Sequence, residues 1–171
     1  MKPKFFPSPS DWHAWLEEHH EKHAELWVGF HKVGSGNPSI TWREAVDGAL
    51  CFGWIDGVRK SLGETSYVIR FTPRRPKSIW SAINIKRVAE LSALGLMRPK
   101  GAEAFERRTG KRSEVYAYEQ RKGARLSGAY EKQEGLEFLP VSPAVVQANR
   151  ELVGDQRQEG RDTPETSRPA H

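Results

Sequence analysis

The stretch "CFGWIDGVRK", Cys51 to Lys60, lies in mid-chain and combines an apolar run with two glycines, an aspartate and two closing cations. What it becomes decides the fold. The preceding "TWREAVDGAL" opens with a Thr41/Glu44 capping box and repeats Ala45, Val46, Ala49 and Leu50 at helical spacing. That predicts a helix stopped at Gly53, a residue suited to the left-handed cap because it has no Cβ to clash. Beyond it, "WIDGVRKSL" and "SYVIRFT" read as two strands joined by "GET", a link of hairpin length.

Strand side chains alternate faces, so the hairpin register decides what Asp56 sees. The register with the cleaner binary pattern groups Asp56, Val58 and Lys60 with Val68, Arg70 and Thr72. Ile55, Tyr67, Ile69 and Phe71 then form an apolar face on which Gly57 leaves space. Asp56 and Arg70 become neighbours, a carboxylate–guanidinium pair that either braces the hairpin or orients a ligand. A slip of one residue instead places Asp56 among Ile69 and Phe71.

Towards the N-terminus, "SPSDWHAWLEEHHEKH" has Ser8 as N-cap, Pro9 at the first helical position and an apolar stripe of Trp12, Trp15 and Leu16. It predicts a helix to about His23. "ELWVGFHKV" reads as a strand and "GSGNPS" as a loop. Towards the C-terminus, "SIWSAINIKRVAELSALG" is a helix ended by Gly95, "RPKGAEAFERR" a shorter one with Pro99 near its start, and "SEVYAYEQRK" a further helical candidate. The order predicts an α+β domain over residues 6–122, with a small, mainly antiparallel sheet of about three strands packed with four to five helices. Residues 123–171 are read as a divergent, largely disordered tail, because "GDQRQEGRDTPETSRPAH" has too little apolar surface to offset its ordering entropy.

A chain of 171 residues with 37% hydrophobic composition suits one domain with its own core. The net charge of +5 permits an anionic partner without requiring one. No apolar run reaches the length of a membrane span, and "MKPKFFPSPSDW" lacks the apolar core of a signal peptide, so a cytoplasmic location is expected. The lone cysteine, Cys51, rules out an internal disulfide and reads as a small buried residue, there being no paired histidine to activate it.

"RFTPRRPKSIWSAIN" follows the hairpin directly and sets Arg74, Arg75 and Lys77 before a helix N-terminus, which favours anions. Ser81 and Asn84 share a helical stripe with Val88 and Leu91, and Ser78 or Ser81 fits the N-cap. Together Trp54, Asp56, Arg70, Arg74, Arg75, Trp80, Ser81 and Asn84 form the candidate ligand site. Asp56 orients Arg70, the arginines hold an anion, and Ser81 and Asn84 donate hydrogen bonds. In an enzyme, Asp56 is the candidate general acid or base. A third reading uses the cations of 70–77 for nucleic acid, against which acids and cations alternate along the chain. In "HHEKH" the histidines miss the zincin spacing and lack a third ligand, so neither metal nor cofactor is assigned.

The segments "FPSPSDWHAWLEEHH", "CFGWIDG" and "RFTPRRPKSIWS" resemble the YdeI/OmpD-associated (OmdA, bacteriocin-protection) family from about Phe6 to about Gln120. The resemblance implies a small bacterial protein linked to envelope stress and to antimicrobial-peptide or bacteriocin tolerance, with an outer-membrane porin as a partner and no reaction to transfer. The family is associated with the periplasm, which the missing signal sequence argues against here. Members continue into an aromatic, Arg-rich C-terminal segment. This chain departs into a polar ending after Phe138, read as a divergent or frame-shifted end that leaves core surface uncovered.

Overall fold

A computed structural model describes residues 2–109, 113–115 and 140–159. The capping pattern of the sequence is realised in two helices, α1 (Pro9–His19) and α2 (Trp42–Cys51). Ser8 accepts a hydrogen bond from the Asp11 amide at the start of α1, and Thr41 and Glu44 form the reciprocal capping box of α2. Before α1 lies a short strand, β1 (Lys4–Phe5), that the sequence did not signal. Between the helices runs β2 (Leu26–His31). The hairpin is β3 (Trp54–Ser61) and β4 (Ser66–Pro73). These four strands make one sheet in the order β1-β2-β4-β3, parallel at β1–β2 and otherwise antiparallel. The α+β class follows.

The C-terminal half begins with Trp80–Ser81, a two-residue strand β5, and then α3 (Ala82–Ala93) and α4 (Pro99–Glu106). The helix predicted from Ser78 starts later because Ser81 caps it, accepting from the Asn84 amide at 3.2 Å. Residues 113–115 of the helical candidate "SEVYAYEQRK" are extended, as β6 (Ser113–Val115) beside β5; the rest of that candidate lies outside the described residues.

The tail expectation needs correction at residues 143–159, where α5 (Pro143–Glu159) forms and packs on α1 and α2. Val145, Ala148 and Asn149 are buried, and Ser142 donates to the Glu44 carboxylate at 2.9 Å. The apolar pair Val145 and Ala148, three residues apart behind a Ser-Pro start, carried that signal. The polarity of the chain end beyond it masks that signal. Residues 123–139 and 160–171 of the tail lie outside the described set.

The core lies between the helices and one face of the sheet. Trp12, Leu16, Ala45 and Leu50 meet Val28, Phe30, Ile69 and Phe71 there. Burying each of the valine, leucine, isoleucine and phenylalanine side chains among these contributes about 1.5–3 kcal/mol. Trp12 stacks on Trp15 within α1 and donates its indole N–H to the Ala45 carbonyl at 3.0 Å, which locks α1 to α2. A buried ion pair, Arg87 Nε to Asp47 Oδ1 at 3.1 Å, joins α3 to α2. No described helix is long and apolar enough to cross a membrane.

The hairpin register is the main departure from expectation. At its turn end Lys60 opposes Val68 and Ser61 opposes Tyr67, in the favoured register. A β-bulge then sets both Gly57 and Val58 against Arg70, and beyond it Asp56 opposes Phe71. One extra residue moves Asp56 to the helix-covered face while Lys60 keeps the outer one.

Candidate functional site

The site is built around the end of α2. Gly53 takes φ +74°, and a Cβ there would lie 2.8 Å from the Lys100 carbonyl oxygen, so only glycine lets α4 come this close. The Gly53 carbonyl accepts from the Arg74 amide at 2.8 Å, and the Cys51 carbonyl from the Arg98 amide at 2.9 Å. These two bonds draw the 73–76 loop and the start of α4 to the same helix end. Together with the C-terminus of α1 they enclose a cleft of about 320 Å³.

Four cations line this cleft, Arg74, Arg75, Lys100 and Arg107, against two acids, Glu21 and Glu103. His20 and His23 complete the α1 wall, and Phe52 and Trp54 the floor. Lys100 bridges to Glu21 at 3.2 Å and Glu103 at 3.7 Å, and Arg107 pairs with Glu103. The acids therefore tie the turn after α1 to α4 and leave Arg74 and Arg75 without a carboxylate within ion-pair distance among the described residues.

Arg74 is the best-anchored of these groups. Its guanidinium lies 3.6 Å from the centre of the Trp80 ring, and its Nη1 donates to the Ile79 carbonyl at 3.2 Å and to Ser78 Oγ at 3.4 Å. Its Nε and Nη2 are shielded from solvent and have no acceptor among the described residues. Desolvation lowers its pKa to about 10, against the opposing pull of Asp56, so it stays charged at neutral pH.

Asp56 sits behind that arginine. Its Oδ2 accepts from the Trp42 indole N–H at 3.0 Å. Burial pushes its carboxyl upward, opposed by the Trp42 hydrogen bond and the Arg74 charge.

Of the eight residues singled out in sequence, Trp54, Arg74 and Arg75 line the cleft. Trp80 is buried beneath Arg74, and Trp54 donates its indole N–H to the His20 carbonyl at 3.1 Å. The expected Asp56–Arg70 pair does not form, because the bulge separates their faces. Arg70 lies opposite Trp27 on the outer face, 3.7 Å from Glu25. Ser81 is an N-cap with Asn84 as its backbone donor, and neither lines the cleft. Cys51 is fully buried and burial raises its thiol pKa, in keeping with a packing residue. His19 and His23 pack their rings against Trp15.

Sequence reasoning missed His20, Glu21, Lys100, Glu103 and Arg107. The helical spacing of Lys100, Glu103 and Arg107 puts them on one face of α4, but only the packing at Gly53 turns that face to the arginines.

A family model described as a domain of unknown function (DUF8412) matches residues 4–104. No curated protein and no solved structure matches the chain.

Proposed function

We propose that this chain, which belongs to the DUF8412 family, is a non-catalytic binding protein for a small carboxylate- or phosphate-bearing molecule held in the cleft at Gly53. Arg74 carries this reading. A guanidinium fixed on an indole at the cleft wall, with no carboxylate within ion-pair distance among the described residues, is preorganised for an oxyanion. Arg75 stands at the same wall with no carboxylate within ion-pair distance among the described residues, and the Asp56 charge acts on Arg74 without lining the cleft. A role in envelope stress and antimicrobial-peptide tolerance, a porin partner and a cytoplasmic location accompany this reading from the sequence and its resemblance to the YdeI/OmpD-associated family.

The two other readings have less support. Asp56 as general acid or base is not among the residues that line the cleft, and its Oδ2 is engaged by Trp42. Nucleic-acid binding through 70–77 loses coherence because Arg70 and Arg74 serve different faces.

The test is thermal unfolding in increasing inorganic phosphate and, separately, citrate. A ligand that binds only the native state raises the midpoint with its concentration. The expected result is a rise for at least one anion, reduced in Arg75→Ala and abolished in Arg74→Gln. Absence of any rise, or equal rises in wild type and both variants, overturns the reading. Arg75 is exposed, so its variant remains informative should Arg74→Gln fold poorly.

A further inference from the structure

The sheet has a second face, turned away from the helices. The register aligns Phe5, Gly29, Val68 and Lys60 across β1, β2, β4 and β3, with Trp27 beside Arg70 in a neighbouring row. An outward antiparallel face is ordinarily polar. This one carries three partly exposed rings, Phe5, Trp27 and His31. Phe5 lies over Gly29, where any Cβ would collide with its ring, and stacks on His31 at 4.5 Å with 19° between planes. Lys60 Nζ stands 4.9 Å from the centre of the Trp27 ring.

Aromatic rings beside cations fit a flat ligand that also carries negative charge. Lys60 and Arg70 supply the positive charge, with Glu25 as the acid paired to Arg70. Trp27 and His31 are four residues apart on β2, roughly 13 Å at the usual rise of a strand. The two platforms are therefore separate enough to take different rings of one extended molecule. Bases stack on aromatic side chains whatever their sequence, while the backbone follows the cations.

We propose that the outer face of the sheet binds an unpaired nucleic-acid strand, with bases on Trp27 and on the Phe5–His31 pair and phosphates at Lys60 and Arg70. This site is independent of the cleft and of its anion.

The test is fluorescence anisotropy of a labelled oligo-dT of about 12 nucleotides, a length spanning the site sizes usual for such surfaces. Binding is expected at low salt and should weaken as salt rises. Lys60→Glu should weaken it and flatten the salt dependence. Trp27→Leu should weaken it roughly tenfold while leaving the salt slope in place. The cleft variants Arg75→Ala and Arg107→Ala should bind as wild type. No binding at low salt, or binding unchanged by Lys60→Glu, overturns the proposal. Equal affinity for a duplex of the same length, or loss of binding in the cleft variants, overturns it also. Concentration-dependent self-association that Lys60→Glu abolishes, without oligonucleotide binding, assigns the face to a second copy and overturns it as well. Lys60 is exposed, so its variant reports even where Trp27→Leu destabilises the sheet.

Discussion

At the scale of the residue, Asp56 shows how a carboxylate can be both conspicuous and internal. Its side chain is hydrogen-bonded by Trp42 and lies near the Arg74 charge, yet desolvation outweighs both and raises its pKa. A carboxyl whose folded pKa is raised costs stability once pH exceeds its unfolded value near 4, and that cost disappears in acid. Asp56→Asn keeps an acceptor for the indole and removes the partly buried charge. The variant should therefore melt above wild type at pH 7, with the gap closing as pH falls below about 4. A lower midpoint at pH 7 would show that the Arg74 interaction outweighs desolvation. The sequence marks Asp56 as a candidate site residue. The partner it suggested, Arg70, was wrong because a single bulged residue reverses strand facing.

At the scale of the element, close approaches and buried interfaces set the constraints. Gly101 of α4 sits against the Cys51 carbonyl, and a Cβ there would overlap backbone atoms of α2. Backbone cannot yield as a flexible side chain can, so Gly101→Ala should cost about 3 kcal/mol or more in urea unfolding. It should also weaken phosphate binding, since α4 brings Lys100 and Arg107 to the cleft. A cost under about 1 kcal/mol would mean that α4 shifts freely.

The α1–α5 interface holds a second constraint. His13 is fully buried, with Asn149 of α5 beside it and the Arg98 charge nearby. Burial, and then Arg98, lower its pKa to about 4, against the contribution of Asn149. A histidine whose folded pKa is depressed gives stability that is complete above its unfolded value of 6.5 and is lost as pH falls towards 4. The loss should approach about 3 kcal/mol. Measured against wild type between those limits, His13→Gln should show a flatter dependence of the unfolding midpoint on pH. Parallel curves would place the acid sensitivity elsewhere.

At the scale of the whole molecule, α5 belongs to the fold although it lies outside the span matched by the family model. It buries Val145 and Ala148 and covers the α1 surface that carries His13. A chain ending at residue 139 should melt roughly 5–10 °C lower than the full chain, as expected for losing a few kcal/mol in a domain of this size. An unchanged midpoint would mean that α5 adds no net stability. The polar end of this chain thus supplies a covering helix where the sequence suggested uncovered core.

The sequence alone determined the helix caps of Ser8 and Thr41, the stop at Gly53, the hairpin and the α+β class. Each of these is written in neighbours a few residues apart, where backbone sterics and side-chain spacing act directly. It also picked out Arg74, Arg75, Trp54 and Trp80. Only the tertiary structure decided the face of Asp56, the separation of Arg70 from Arg74, the joining of α1 and α4 at one cleft and the docking of α5. Those outcomes depend on one extra residue in a ladder and on glycines that let distant backbones touch, and neither leaves a periodic trace in the chain.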